Sequence, residues 1–232
     1  MNKRKRQQQD PGILSCSKAA VFLIILNTGI FIFSHFTDPG RNFFQNMILH
    51  AGNLMNGNYL SLLASGFLHS DWIHLVLNML AVFIFGSIVE GRMGFKTTLF
   101  IYFGSLIISM VSALIIYLAV LHRNVAIIGA SGAVMGLMAT AMLMSPFSIT
   151  WEMLLPIPTM VKGWMFFYAD FKGFLGGETD GISHLAHLCG FLSVMVLVYF
   201  LSREDRKKMT AGLVINLASL VAAAWIRNKF LI

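Results

Sequence analysis

The chain has 232 residues, of which 57% are hydrophobic and 12% are charged. A soluble domain of this length carries about twice that charged fraction, so the composition excludes an ordinary soluble protein and predicts an integral membrane protein. The net charge of +7 does not indicate a nucleic-acid-binding protein, because the basic residues lie in short clusters between apolar segments and not on one basic face with interleaved aromatic side chains.

A basic tail precedes the first apolar segment. Residues 1–17 contain the cluster from Lys3 to Arg6, and we expect this tail to be cytoplasmic. The apolar run from Ala19 to Phe33 is not predicted to be a signal peptide, because no small-x-small cleavage site follows it. We interpret the run as the first membrane span.

Six apolar segments predict an all-α, polytopic membrane helical bundle. Crossing the hydrocarbon core of a bilayer takes about 20 apolar residues. The predicted spans are 18–36, 69–89, 97–121, 129–144, 156–175 and 182–201. The fourth is short and the fifth is interrupted by Lys162, Asp170 and Lys172, so we expect neighbouring helices to shield both from lipid. We interpret Asp170 and Lys172 as a local pair or as the outer end of the fifth span.

Two further segments are apolar, although they lie outside those six spans. The stretch 37–68 is too apolar for a simple solvated loop, and we expect a half-immersed or interfacial hairpin there. The C-terminal part, 202–232, combines a basic cluster with an apolar stretch at 210–226. That stretch is either a seventh span or a helix on the inner surface, which leaves 18–201 as the predicted six-span core.

The distribution of Lys and Arg predicts the orientation of the chain. If the N-terminus is inside, the cytoplasmic segments hold the clusters at 3–6 and 203–208, whereas the outer segments hold little beyond Arg41, Arg123 and Lys172. Because cytoplasmic loops carry an excess of basic residues, we expect both ends of the six-span core to face the cytoplasm. The small size of the chain favours the cell membrane of a prokaryote.

Polar residues in three predicted spans lie at one depth. Asn78, Ser131 and His187 each come seven or eight residues after the outer boundary of their span, which places them at most about 10–12 Å below it. Polar groups inside spans are costly and usually functional. Their common depth predicts one polar site near the outer face.

Helix periodicity indicates which side chains share a face. His74 and Asn78 are four residues apart and lie on one face, whereas His69 lies about 140° round from His74 on a continuous helix and is not expected to point at the same target. Small residues at Gly132 and Gly190 belong to small-x-x-x-small patterns, which allow membrane helices to approach closely.

These residues permit acyl-transfer chemistry. A Ser hydroxyl becomes a strong nucleophile only when a neighbouring base accepts its proton, and the developing oxyanion needs hydrogen-bond donors. Ser131 is predicted at a helix N-terminus with free N–H groups, His187 is the candidate base, and His74 and Asn78 are candidate donors. The sequence shows no buried Asp or Glu well placed to orient His187, so we expect a dyad without an acid.

The chain resembles the rhomboid family of intramembrane serine proteases across roughly residues 18–201. The motifs that carry the resemblance, in the family's order, are His69, His74 and Asn78 in H-x-x-x-x-H-x-x-x-N, Glu90 and Gly94 in E-x-x-x-G, Gly129, Ser131 and Gly132 in G-x-S-G, and Ala186, His187 and Gly190 in A-H-x-x-G.

The resemblance implies a cofactor-free endopeptidase that cleaves transmembrane protein substrates within the lipid bilayer, near the outer face. Its implied catalytic residues are Ser131 and His187, and its implied oxyanion or substrate-binding residues are His74, Asn78, Gly129 and the Ser131 backbone N–H. The implied structural residues near the site are His69, Gly132, Met135 and Gly190. Met135 stands where family members often carry an aromatic residue. The stretch 37–68 becomes a membrane-embedded loop, and the fifth span with 176–181 becomes a substrate gate and cap.

Other functions are also compatible with parts of the pattern. A rhomboid-like protein that binds membrane clients without cutting them would usually lack the Ser, the His or the Asn. A transporter or proton channel would place polar residues in both halves of the membrane. His184 and His187 could bind a metal, but the sequence shows no third convergent ligand, so we expect no metal. No nucleic-acid partner is expected, and the oligomeric state does not follow from the sequence.

Overall fold

The computed structural model describes residues 17–150, 156–177 and 181–230. The predicted basic tail before residue 17 and part of the predicted cap, at 178–180, lie outside the described residues. Helices dominate the remainder. They are α1 Lys18–Phe36, α2 Asp38–Met47, α3 Ala51–Met55, α4 Ser61–Ala64, α5 Trp72–Met93, α6 Phe95–Ile115, α7 Ser131–Met144, α8 Thr159–Leu175, α9 His184–Leu192, α10 Val194–Leu197 and α11 Arg203–Phe230.

Shorter elements connect these helices. The 3₁₀ turns Ser65–Phe67 and Val198–Phe200 follow α4 and α10, and a π-helical turn, Ile116–Val120, extends α6. The strands β1 Ile149–Thr150 and β2 Ile157–Pro158 pair antiparallel between α7 and α8.

The prediction of an all-α polytopic membrane bundle is confirmed. Within the described ranges, four helical segments are long and apolar enough to cross a membrane, and α7 and the segment His184–Phe200 are shorter apolar helices. The four long segments are Lys18–Phe36, Trp72–Met93, Phe95–Val120 and Arg203–Lys229. The first coincides with the predicted span 18–36.

Five of the six predicted spans have different boundaries in the structure, and two of these differences have a clear local cause. α5 begins at Trp72 and not at residue 69, because the side chain of Asp71 accepts a hydrogen bond from the backbone N–H of His74 and caps the helix. The predicted span 182–201 is interrupted at Ser193, whose hydroxyl hydrogen-bonds the carbonyl oxygen of Gly190 at 2.6 Å. Such a side-chain bond to the preceding turn competes with the helix ladder.

α7 is the central helix of the bundle. Its residues from Gly132 to Met142 are all buried, and it packs against α5, α6, α8, α9 and α11. A helix that is apolar on every face lies in a protein core or in a membrane, and the burial of α7 places it inside the protein. This burial explains how the short fourth span is shielded from lipid.

Small residues bring the backbones of α7 and α9 into contact and let serine side chains of α6 pack against them. A Cβ atom at Gly136 would overlap Ser105 on α6, and a Cβ atom at Gly190 on α9 would overlap the backbone of Gly132. The hydroxyl of Ser109 on α6 donates to the carbonyl oxygen of Ala186 on α9 at 2.6 Å. The close helix approach that the small-residue patterns predict therefore occurs, and we call this contact the glycine junction.

The stretch 37–68 folds as α2, α3 and α4 and not as a hairpin. It is fastened to the chain segment just before α7 by paired backbone hydrogen bonds between Leu49 and Ile127, at 2.9 and 3.3 Å. Large apolar side chains such as Met55, Tyr59 and Leu60 are exposed on it. An interfacial position in a membrane remains a prediction for this stretch.

α11 begins at Arg203, earlier than the predicted apolar stretch 210–226. It packs beside the end of α7, where the Asn216 side chain donates to the carbonyl oxygen of Met142 at 3.1 Å. Its 28 residues give a helix about 42 Å long, which is enough to cross a bilayer. We therefore retain the seventh span as the prediction for this segment.

The glycine junction predicts a large difference between two Gly→Ala substitutions. Gly190→Ala places a methyl group against the Gly132 backbone, which can yield only if α7 and α9 separate, so we expect a loss of about 1–3 kcal/mol. Gly29→Ala, in α1, meets open space and should be neutral or stabilising by up to about 1 kcal/mol. Thermal midpoints in detergent measure both, and equal midpoints for the two variants would contradict the junction.

Candidate active site

Ser131 is the first residue of α7. The side chain is half-buried, and no side chain caps this helix N-terminus. The first N–H groups of an α-helix have no partner within the helix, and the helix dipole makes this end electropositive. The Ser131 hydroxyl therefore lies beside backbone groups that favour a negatively charged oxygen.

Gly129 shapes the backbone immediately before Ser131. Its φ angle is +109°, a conformation that side-chain-bearing residues rarely adopt. A Cβ atom at this position would lie 2.7 Å from Nε2 of His74 and 3.8 Å from the Ser131 hydroxyl oxygen. The glycine therefore allows the His74 ring and the Ser131 hydroxyl to converge at one point.

The expected contribution of Gly129 to an oxyanion site differs from what the structure provides. Its backbone N–H already donates to the carbonyl oxygen of Ser65 at 2.9 Å. This N–H is therefore engaged within the fold, and Gly129 supplies space in place of a donor.

His74 presents a donor towards this point. Its Nδ1 lies 3.4 Å from the backbone N–H of Ser70 and 3.2 Å from the Ser70 hydroxyl. Because a backbone N–H can only donate, Nδ1 acts as the acceptor, and in the neutral ring the proton is then on Nε2. That Nε2–H points to Gly129, beside Ser131.

Asn78 lies one turn further along α5 and is buried. Its side-chain nitrogen donates to the carbonyl oxygen of His74 at 2.8 Å. An amide nitrogen carries two hydrogens, so this bond orients the group and leaves a second donor. The predicted shared face of His74 and Asn78 is consistent with this contact.

The prediction that His69 and His74 point at different targets assumed one continuous helix through both residues. That assumption is wrong, because α5 starts after His69. His69 is fully buried, and its ring meets the His74 ring edge-on with 4.9 Å between centroids. Its Nδ1 lies 3.2 Å from the carbonyl oxygen of Phe67. His69 thus packs directly against a candidate site residue.

His187 lies on α9 beside the glycine junction. A Cβ atom at Gly132 would lie 3.7 Å from the carbonyl oxygen of Ala186, the residue before His187. The His187 imidazole is also close enough to that of His74 for an electrostatic interaction. Within the described ranges, the Ser131 hydroxyl and the His187 imidazole form no hydrogen bond; in ligand-free enzymes such contacts often tighten only in the substrate complex.

The expectation that no buried carboxylate lies near His187 is wrong. Asp170 on α8 is buried, and its Oδ1 lies 2.9 Å from Nδ1 of His187 and 2.8 Å from Nδ1 of His184. The proposed pairing of Asp170 with Lys172 is not what forms. Lys172 lies over the ring of Tyr168, 5.9 Å from its centroid.

Asp170, His184 and His187 also form the three-residue cluster that the sequence did not reveal. One ligand atom from each residue lies within 4.8 Å of the others, and nitrogen and carboxylate ligands of this kind suit divalent metals such as zinc. The expectation that the two histidines lack a third convergent partner is therefore wrong. In the structure each of the two Nδ1 atoms lies within hydrogen-bond distance of the same carboxylate oxygen, Oδ1 of Asp170.

The remaining predicted residues lie within the packing around the site. Met135 is one turn after Ser131 and is 4% exposed, and Gly132 and Gly190 form the glycine junction. Sequence reasoning missed Ser70, which orients His74, and Asp170. An ionisable residue inside a predicted span was a usable signal for Asp170, but its partners lie on another helix.

The chain is similar in sequence to known proteins over most of its length. The family model described as the Rhomboid domain matches residues 56–204, which include α5 to α10 and every residue of the candidate site. In this chain the matched part is well over half of the sequence.

Three relatives are similar over much of the chain. The Arabidopsis thaliana rhomboid-like protein 11, named chloroplastic, is 28% identical over 89% of this chain and 71% of its own length. The rhomboid-like protein 12 of the same plant, named mitochondrial, is 26% identical over 76% of this chain and 56% of its own length. The Bacillus subtilis (strain 168) protein YdcA, provisionally named a rhomboid protease, is 29% identical over 58% of this chain and 65% of its own length.

The burial of His69 predicts a pH-dependent stability. His69 precedes α5, and burial, with repulsion from His74 adding to it, lowers the pKa of this imidazole from 6.5 to about 4. The folded protein therefore binds fewer protons than the unfolded chain between these values. Stability should be fully present above pH 6.5 and should fall by up to about 3 kcal/mol as the pH decreases towards 4.

Thermal midpoints in detergent at pH 7.5 and pH 5 test this prediction. His69→Gln should lose less stability between the two pH values than the wild type does. The control His122→Asn changes an exposed histidine and should keep the wild-type pH dependence. A His69→Gln variant with the same pH dependence as the wild type would contradict the assignment.

Proposed function

Because the chain belongs to the rhomboid family, we propose that it is an intramembrane serine endopeptidase that cleaves transmembrane protein substrates. The single observation that supports this proposal best is the convergence of the Ser131 hydroxyl and His74 Nε2 at Gly129, at the uncapped N-terminus of a helix buried within the bundle. A nucleophile, an oxyanion donor and free backbone N–H groups meet there.

In the proposed reaction Ser131 and His187 act as a catalytic dyad. The Ser131 oxygen attacks the carbonyl carbon of the scissile peptide bond, while Nε2 of His187 accepts the hydroxyl proton. The tetrahedral intermediate collapses when that proton passes to the leaving amine and the C–N bond breaks. Water, with His187 again as the base, then hydrolyses the acyl-enzyme ester and restores the Ser131 hydroxyl.

The proposed oxyanion site consists of the Ser131 backbone N–H, the His74 Nε2–H and the Asn78 amide. The orientation of His74 by Ser70 supports its role, because a donor that is already aimed needs no reorganisation during the reaction. Asn78 is held by its bond to the His74 carbonyl. No cofactor is needed for this chemistry.

The place of the reaction follows from the predicted topology. With the N-terminus in the cytoplasm, the N-terminus of α7 lies towards the outer face, so substrates would be cut near that face of the cell membrane. The half-buried setting of Ser131 and His187 suits a pocket that admits the water for deacylation.

Cleavage by matched variants tests the dyad. Ser131→Ala and His187→Ala should each abolish cleavage of a transmembrane peptide in detergent, whereas Ser148→Ala, a serine outside the site, should cleave like the wild type. A fluorophosphonate probe should label the wild type at Ser131 and leave Ser131→Ala unlabelled. Unchanged hydrolysis by Ser131→Ala would refute the dyad. A folded wild type that neither cleaves nor labels would favour the alternative of a rhomboid-like protein that binds clients.

Loss of oxyanion donors should slow the reaction without abolishing it. His74→Ala and Asn78→Ala are each expected to lower kcat by about 10²–10³, with fluorophosphonate labelling slowed in parallel. The control Asn53→Ala removes an amide that donates to backbone carbonyl oxygens at the end of α2 and just after it, and it should leave kcat near the wild-type value. Full activity in both site variants would exclude them from the oxyanion site.

A further inference from the structure

The contact between α8 and α9 is a pairing of two complementary faces. Asp170 and Gly173 are three residues apart on α8, and His184 and His187 are three residues apart on α9. The carboxylate accepts from both imidazoles, and the Gly173 position is filled by the His184 ring, because a Cβ atom there would overlap it. Residues three apart share a helix face, so one face of each helix supplies the whole contact.

The buried carboxylate in this contact depends on these hydrogen bonds. The Asp170 side chain is 7% exposed, and its second oxygen, Oδ2, has no hydrogen-bond partner among the described residues. A buried charge is strongly destabilising unless it is paired and hydrogen-bonded. The two imidazole Nδ1 atoms therefore provide the compensation that keeps Asp170 inside the bundle.

We propose that Asp170 is a positioning residue that orients His187, so that the dyad operates with a supporting carboxylate. This inference rests on the proposed protease function. An ionised carboxylate only accepts hydrogen bonds, so its contact with Nδ1 places the ring proton of His187 on that nitrogen. Nε2 is then the lone-pair nitrogen, which is the tautomer that can accept the Ser131 proton.

The same contact stabilises the charge that forms during the reaction. When His187 takes the Ser131 proton, the imidazolium lies 2.9 Å from the Asp170 oxygen, and a charge-assisted hydrogen bond is stronger than a neutral one. Asp170 touches neither the nucleophile nor the substrate, so it acts through His187. His184 Nδ1 lies 2.8 Å from the same oxygen and provides a second hydrogen bond that holds the carboxylate.

The hydrogen bond between Asp170 and His187 joins two different helices, α8 and α9. His187 is oriented by Asp170 only while α8 is packed against α9. A displacement of α8 would therefore leave the base without its supporting carboxylate, which links the position of this helix to the reactivity of Ser131.

Steady-state kinetics of Asp170→Asn in the full chain test the proposal. Cleavage of a transmembrane peptide is measured in detergent with EDTA present. We expect kcat to fall by about 10²–10⁴, with KM within about threefold of the wild-type value, because the defect is in the base and not in substrate binding. Asp170→Glu keeps the carboxylate and should recover at least tenfold in kcat over Asp170→Asn.

The matched control is Lys172→Gln on the same helix. Lys172 is exposed and contacts Tyr168, so this variant should keep wild-type kinetics. If Asp170 worked only as the partner of Lys172, the two variants would behave alike. His184→Gln should lower kcat by a smaller factor than Asp170→Asn does. The double variant should resemble Asp170→Asn alone, because both substitutions remove the same contact between His184 and Asp170.

Several outcomes would overturn the proposal. One is a folded Asp170→Asn variant with kcat within threefold of the wild type, and another is an Asp170→Asn variant that changes KM alone. A third is a wild type that loses activity in EDTA and regains it with zinc, since the cluster would then act as a metal site. If Asp170→Asn does not fold, a folded Asp170→Glu variant as inactive as Ser131→Ala would also refute it. Inactivity of the wild type itself would instead refute the proposed function.

Discussion

The backbone contact of α7 with α9, against which serines of α6 pack, positions both helices that carry the candidate site. In a bilayer the lipid tails are as apolar as the helix surfaces, so helices associate through packing and hydrogen bonds between them. Glycines at 132, 136 and 190 let the backbones meet, and the Ser109 hydroxyl bonds across the contact to α9. Ser131 and His187 each lie one or a few residues from this contact, so the contact fixes the backbone positions of both residues.

The polar site occupies the end of a helix whose remainder is apolar and buried. The proposed chemistry has two needs: the N-terminus of α7 must be held in place within the bundle, and its first N–H groups must stay without helix partners. The segment before α7 meets both needs, because Ile127 pairs with Leu49 of the 37–68 stretch and Gly129 bonds to Ser65. The short helices α2 to α4 therefore hold the chain that leads into Ser131.

Two carboxylates stabilise opposite parts of the bundle by similar physics. Glu90, near the end of α5, accepts hydrogen bonds from the Ser17 hydroxyl and the Ala19 backbone N–H and so caps α1. Asp170 accepts from two imidazoles between α8 and α9. A carboxylate in an apolar bundle is retained only where such donors converge, and at Asp170 the donors include the candidate base.

The sequence alone was enough to predict the all-helical membrane architecture, the bounds of α1 and a candidate site of His74, Asn78, Ser131 and His187, because hydropathy, helix periodicity and depth are local properties of the chain. It also indicated the glycine junction through residue spacing. Two features became visible only in the folded bundle: Asp71 caps α5 and so leaves His69 outside the helix, and Asp170 contacts His184 and His187 in preference to Lys172. Those contacts depend on how each helix is rotated about its axis and packed against its neighbours. Packing across the whole bundle sets that rotation, so it cannot be inferred from the sequence of one segment.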